Sequence, residues 1–384
     1  MILQVAISTS LNPANKESGV LVIPWAKPDY WGKERQYVDE AMESTWISGG
    51  PFVERIEQHF TDLSGGGHAL AVSNGTTAIH LAYLALGIEA GDEIVVPGFG
   101  FQAAANVALH MNARPVFCEV DSQTWCMRAE DIEPCLTEKT RAIVVVHTYG
   151  NVCDMGPILA LAAARDIPVI EDAAEAFPSR YKGQLAGTIG TIGTYSFQAT
   201  KTITTGEGGM VVTYDDALQE RMALYRSHGL RRKKHYWHEL PGLNFRLTNM
   251  QAALGCAQLE QLGRIATERH RVYGIYRECL MKIPGVTLQF FSPDVDPVVW
   301  AITVKLDPVA FPQGRDTVMA QMLESGIELR PGFYSPAQLE YFEWPPLLVC
   351  DSLAASIISL PSFPTLTTAQ IHYICHQLAS LGRA

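Results

Sequence analysis

The sequence has no CxxC pair, no low-complexity tract, and no apolar run near the roughly 20 residues that span a bilayer. Each absence removes a class of function. The eight cysteines, at 118, 126, 135, 153, 256, 279, 350 and 375, fall in part within apolar segments. They read as reduced core thiols of a cytoplasmic protein, not as a disulfide framework. His235 and His238 stand three apart without partner ligands nearby, so no metal is expected. The start, MILQVAISTSLNPANKESG, lacks a basic n-region, and residues 1–22 read as an N-terminal extension and not a signal peptide. Positive charge is also short: 29 Lys and Arg stand against 40 Asp and Glu, a net charge of −11. That balance argues against nucleic acid or an anionic membrane as the main partner. An anionic small-molecule substrate would need a local cluster of positive groups.

What is present is a large globular chain. A length of 384 residues and 47% hydrophobic content suit a large core with a smaller companion. Short β-branched runs at 93–97, 114–120, 142–149, 167–172, 193–197 and 209–213 alternate with helical patterns at 76–87, 102–111 and 157–166. Such runs predict an α/β fold, with a mostly parallel sheet covered by helices on both faces. Ligands of these sheets bind beyond the carboxyl ends of the strands. Asp172, Ser196 and Lys201 fall there. One long helical pattern without an internal proline covers 246–280 and is long enough to leave the first unit for a second. The remainder reads as a small α+β unit with helical patterns at 315–325 and 367–381, joined by the segment before residue 35.

The stretch YSFQATKTITTGEGGMVV, 195–212, sets Lys201 between an apolar run and a glycine loop, among four threonines. A solvated lysine needs no such surroundings, whereas one doing covalent chemistry must be held in a single pose. In SNGTTA (73–78) small polar residues open a helix, and their free N–H groups would meet a phosphate or carboxylate. A plain N-cap accounts for the same residues. VIEDAAEAF (169–177) ends a buried strand on two acids, which calls for a positive partner such as a protonated ring nitrogen, or for Asp172 as a helix cap. Phe101 follows a strand, where its ring would stack on a flat cofactor or pack in the core. RRKK (231–234) is a solvated loop or the positive cluster that a diphosphate needs. Taken in order, these parts are what pyridoxal phosphate chemistry requires.

At this point the chain resembles the DegT/DnrJ/EryC1/StrS sugar aminotransferases, pyridoxal phosphate enzymes of the aspartate-aminotransferase-like fold type I. The resemblance runs from about Ile23 to the end. It is carried by SNGTTAIHLA, GDEIVVPGF, VVVHTYG, PVIEDAAEAF, YKGQLAGTIGTIGTYSF, KTITTGEGGMVVT, GLNFRLTNMQAALG and LPSFPTLT. KTITTGEGGM, EDAAEA, YWHEL and LPSFPTL are most similar to the GDP-perosamine synthase branch, which aminates a GDP-linked 4-keto-6-deoxy sugar. The resemblance implies a large cofactor-binding domain over 23–258 and a small C-terminal domain over 259–384.

It also implies roles. Lys201 is the lysine bonded to pyridoxal 5′-phosphate, and Asp172 pairs with its ring nitrogen. Phe101 stacks on the ring, and Glu175 lies near the 3-hydroxyl. Gly75, Thr76 and Ser196 bind the phosphate, with Asn244 reaching it from the neighbouring subunit of a homodimer with shared active sites. L-glutamate is the amino donor and a nucleotide-linked keto sugar the acceptor, with Arg231, Arg232 and Tyr334 as candidate substrate contacts. Another keto sugar (dTDP- or UDP-linked) or a keto-cyclitol is the alternative acceptor. Two positions depart from the family pattern: Ala337 stands where a histidine is expected, and Pro178 where a small residue is.

Overall fold

The computed structural model describes residues 22–231 and 234–383. The expected extension up to residue 21, together with Arg232 and Lys233 of the basic run, lies outside the described residues. In chain order the strands begin with β1 (His68–Val72), β2 (Glu93–Pro97), β3 (Arg114–Cys118), β4 (Thr140–Val146) and β5 (Val169–Asp172). A short hairpin of β6 (Arg180–Tyr181) and β7 (Gln184–Leu185) follows, then β8 (Ile192–Ser196) and β9 (Gly209–Thr213). Leaving out the hairpin, these strands form one seven-stranded sheet in the order β1-β9-β8-β5-β4-β2-β3. Only β9 runs against the rest. Ile143 and Val145 of β4 pack into one apolar cluster, and Ala142 and Val144 into another. Alternation with period two means a sheet covered on both faces, as the buried runs imply.

The chain continues through β10 (Val286–Leu288), β11 (Val295–Asp296), β12 (Ile302–Leu306), β13 (Arg330–Pro331) and β14 (Ile357–Leu360). β11 adds to the β6–β7 hairpin, and the others form an antiparallel sheet in the order β10-β12-β14-β13. A third apolar cluster joins this sheet to the helices Leu262–Leu280 and Thr368–Leu381. Ile23 belongs to it, donating its N–H to Gly326 O at 2.8 Å and accepting from the Glu328 N–H at 3.0 Å. The segment before residue 35 does reach the small sheet. Among the described residues, no helix is long and apolar enough to cross a membrane.

One expectation needs correction, and several elements were not expected. The pattern over 246–280 is two helices, Asn249–Glu260 and Leu262–Leu280, turning at Gln261 (φ −100°, ψ 5°). Hydrophobic periodicity cannot mark that corner, because both helices bury a face. Ile265 packs in the large core, while Val272, Tyr276 and Leu280 pack in the third cluster, so the second helix makes the crossing. Strand β1 and the helix Leu348–Ser356 have no counterpart among the expected elements. HALAV is rich in alanine and lacks the β-branched signal that marks the other strands.

One buried carboxylate ties the end of β5 to its surroundings. Glu171 Oε2 accepts from His147 Nε2 at 2.8 Å and from the Gly187 N–H at 2.9 Å. Its Oε1 accepts from the N–H groups of Ile189 at 2.6 Å and Gly190 at 2.5 Å. His147 Nδ1 accepts from the Cys153 N–H at 3.2 Å, so the ring proton sits on Nε2 and points at Glu171. Burial pushes the Glu171 pKa up, but the hydrogen bond from His147 and those from the backbone donors more than offset this. The group titrates below the usual glutamate range.

Glu171→Leu would leave four buried donors without an acceptor and should lower stability at neutral pH by about 3–5 kcal/mol. Because the folded pKa is depressed, the wild-type advantage is full above about pH 4.3, the unfolded value, and is lost as pH falls through the lower folded value. Denaturant midpoints of both chains across that window check this. A stability gap of the same size at every pH would contradict it.

Candidate active site

Lys201 sits in the loop that joins β8 to β9 over the end of the large sheet. The threonines around it keep that loop in one shape. Thr200 Oγ1 donates to Gln198 Oε1 at 2.7 Å, Thr204 Oγ1 to Phe197 O at 3.2 Å, and Thr205 Oγ1 to Glu207 O at 2.8 Å. The Lys201 N–H itself bonds Gln198 O at 2.8 Å. Two of these acceptors also take a backbone N–H, Phe197 O from Thr205 at 2.9 Å and Gln198 Oε1 from Thr200 at 2.8 Å, so the hydroxyls reinforce bonds that already fold the loop on itself. The glycine run serves approach: a Cβ on Gly209 would stand 2.7 Å from Asn74 O and from Tyr195 O. Strand, lysine loop and helix start therefore meet at one point.

That point opens into a cavity of about 1040 Å³. Its wall includes Gly75, Thr76, Phe101, Asp172, Glu175 and Ser196, with Lys201 and Tyr334 also upon it. The Lys201 side chain is only 14% exposed, and its Nζ lies 3.5 Å from Glu175 Oε1. Nζ also stands 3.6 Å from the centroid of the Trp300 ring. Burial lowers the Lys201 ammonium pKa, and the charges of Glu175 and Asp172 oppose this only in part. Burial raises the Glu175 pKa against the pull of Lys201 and the Tyr149 N–H. It raises that of Asp172 against the Ala174 N–H and Lys201. The site holds three ionisable groups out of water, two of them acids, and burial pushes each toward its neutral form.

The helix Gly75–Leu86 contributes the opposite kind of group. Asn74 Oδ1 caps it by accepting from the Thr77 N–H at 2.8 Å, while Thr77 Oγ1 accepts from the Asn74 N–H at 3.1 Å. The cap leaves the Gly75 and Thr76 N–H groups without an acceptor among the described residues, on the wall of the cavity. A Cβ on Gly75 would stand 2.9 Å from Ser196 Cβ, so only glycine leaves this cradle open beside the serine hydroxyl. N-cap and anion site coexist: the cap residue precedes the free amides.

Asp172 is not a helix cap. The residues after it form turns, and its Oδ1 accepts from the Ala174 N–H at 3.0 Å. Phe101 is not core either, being 61% exposed with its ring at the cavity. Asn244 and Arg231 lie off the wall of the cavity in their own chain. Asn244 Oδ1 accepts from Arg246 Nε at 3.0 Å, and Arg231 is ion-paired to Glu239. Ala337 sits in a short turn, Pro336–Gln338, off the wall. Sequence reasoning missed Trp300, Tyr149 and Arg330, all on the wall. The VVVHTYG stretch could have pointed to Tyr149. Nothing local marks Trp300. Among the described residues, no group of three or more His, Cys, Asp or Glu is arranged to hold a metal ion.

Comparison with known proteins places this geometry. Residues 29–379 match the DegT/DnrJ/EryC1/StrS aminotransferase family. The chain is 41% identical over 361 residues to a GDP-perosamine synthase of Escherichia coli O157:H7, covering 93% of this chain and 97% of that one. It is 35% identical to a putative pyridoxal phosphate-dependent aminotransferase of Bacillus subtilis (strain 168), over 88% of this chain and 90% of the other. The X-ray structure of an aminotransferase from Psychrobacter cryohalolentis superposes with a TM-score of 0.85 at 30% identity, covering 94% of this chain and 98% of that one.

The raised Asp172 pKa gives a test that needs no ligand. In the cofactor-free protein the folded state favours protonated Asp172, so its carboxylate opposes folding once pH rises from about 3.9 through the folded value. Asp172→Asn should therefore melt higher than wild type at neutral pH, by about 1 °C per kcal/mol recovered in a chain of this length. The gain should vanish below the carboxylate range. Melting curves at the two pH values check it, and a variant that melts lower at neutral pH would refute the electrostatic account.

Proposed function

Because the chain belongs to the DegT/DnrJ/EryC1/StrS aminotransferase family, we propose that it is a pyridoxal 5′-phosphate-dependent aminotransferase moving an amino group from L-glutamate to a nucleotide-linked 4-keto-6-deoxy sugar. The observation that carries the reading is the meeting of a buried lysine, two carboxylates, an exposed aromatic ring and free helix-start amides in one cavity. The name of the Escherichia coli relative supports the choice of acceptor.

Bound pyridoxal phosphate supplies a cationic ring that accepts the electron pair left when a proton departs the carbon next to nitrogen. Lys201 Nζ carries the covalent attachment and, once released, takes that proton from the substrate carbon. Its lowered pKa increases the free-amine fraction at neutral pH. Asp172 holds the proton on the ring nitrogen, and Glu175 faces the ring hydroxyl. Phe101 offers the flat face. The N–H groups of Gly75 and Thr76 and the Ser196 hydroxyl bind the phosphate. Arg330 and Lys201 are the side-chain cations on the wall among the described residues, and Arg330 gives the anionic substrates a counter-charge. Tyr334 lies beside them.

The working enzyme in this reading is a homodimer, with residues 23–258 forming the cofactor-binding domain and 259–384 the small one. Asn244 lies outside the cavity of its own chain, as a residue serving the partner's site would. In this reading Arg231 and Arg232 are the candidate contacts for the substrate diphosphate.

Lys201→Ala and Asn244→Ala dimers should each lose at least about a hundredfold in turnover. After subunit exchange at equal amounts, half the dimers pair the two variants and keep one intact site. Activity should then return to about a quarter of wild type. Glutamate-dependent amination of a GDP-linked 4-keto-6-deoxy sugar is the readout. No recovery after verified exchange excludes the shared site, and an active Lys201→Ala enzyme excludes the lysine.

A further inference from the structure

We propose that Trp300 is a positioning residue for Lys201: its indole face and the Glu175 carboxylate hold the lysine amine whenever that amine is not bonded to the cofactor. The proposal rests on the reading of Lys201 given above. Lys201 Nζ stands 3.6 Å from the Trp300 ring centroid and 3.5 Å from Glu175 Oε1. A desolvated ammonium over an indole face is among the stronger cation–π contacts.

The indole is fixed to the lysine loop itself. Trp300 Nε1–H donates to Thr200 O at 2.7 Å, the carbonyl just before Lys201. Its backbone N–H donates to Tyr149 O at 3.2 Å, and the Trp25 ring meets it edge-on at 5.7 Å. Tyr149 secures the second partner as well, since its own N–H donates to Glu175 Oε2 at 3.0 Å. One residue, with a left-handed backbone at φ 61°, thus sets the spacing between the ring and the carboxylate that receive the amine.

This arrangement suits a group that must let go and return. A lysine amine on a four-carbon stem loses its reacting position once its covalent bond opens. The indole face attracts the ammonium but cannot take its proton, and it makes no bond that must break on return. The other charged groups on the cavity wall are Asp172, Glu207 and Arg330, and the further titratable side chains there are Tyr149, Tyr334 and Tyr341. Of these, Asp172 acts on the lysine charge together with Glu175.

The test compares Trp300→Leu, which removes the ring face, with Trp300→Phe, which keeps a face but loses the N–H. In the full-length cofactor-free chain, lysines are reductively methylated with 13C-formaldehyde and titrated by NMR, and the Lys201 signal is assigned by its loss in Lys201→Ala. Trp300→Leu should lower the Lys201 pKa by about one pH unit, and Trp300→Phe should leave it near wild type. In the holoenzyme, Trp300→Leu should lower kcat about tenfold with KM for either substrate little changed, and Trp300→Phe should restore most of that loss. An unchanged titration in Trp300→Leu overturns the proposal, as does a Trp300→Phe enzyme as impaired as the leucine variant. A wild-type protein that takes up no cofactor would sink the parent reading instead. The titration, run without cofactor, would still judge the contact.

Discussion

Holding the Lys201 amine out of water is the constraint to which the rest of the site answers. A buried ammonium is costly unless opposite charge lies close, and two carboxylates brought in to meet it must themselves be desolvated. Burial acts on all three in the direction of neutrality: it lowers the Lys201 pKa and raises those of Glu175 and Asp172. Neither carboxylate is relieved by a dense set of backbone donors: Asp172 accepts from the Ala174 N–H and Glu175 from the Tyr149 N–H. The site is therefore poised to exchange protons, and a cofactor with a cationic ring and an anionic phosphate would complete the charge that the protein leaves open.

The contrast between neighbours on β5 makes the point. Glu171 and Asp172 are adjacent, so the strand sends them to opposite faces of the sheet. Glu171 meets four donors and is held ionised as a structural tie. Asp172 meets the Ala174 N–H and otherwise faces a cavity. The same chemical group anchors the fold on one side and serves reactivity on the other, and the pleat alone decides which. The lysine loop follows a similar division, with threonine hydroxyls fixing the backbone so that the side chain can remain the reactive part.

Much of this was legible in the residues, because the sheet rule places polar groups after apolar runs. Asp172, Ser196 and Lys201 were found that way, and the helix start at Gly75 by its cap chemistry. What escaped notice is tertiary. Trp300 lies about a hundred positions beyond Lys201 in a segment that reads only as apolar, and its role follows from two hydrogen bonds that no local pattern encodes. Phe101 could not be told from a core residue, since a lone aromatic after a strand fits either place. The corner at Gln261 was hidden because both helices that meet there bury apolar faces. Arg231 looked free in the sequence, yet it is paired with Glu239 eight positions on.

The account turns on one covalent bond. Reduction of the holoenzyme with borohydride, followed by digestion and mass spectrometry, would fix any cofactor to the lysine that carries it. The account predicts a phosphopyridoxyl adduct on the peptide containing Lys201 and on no other. An adduct on a different lysine, or none at all in a protein that binds the cofactor, would contradict it.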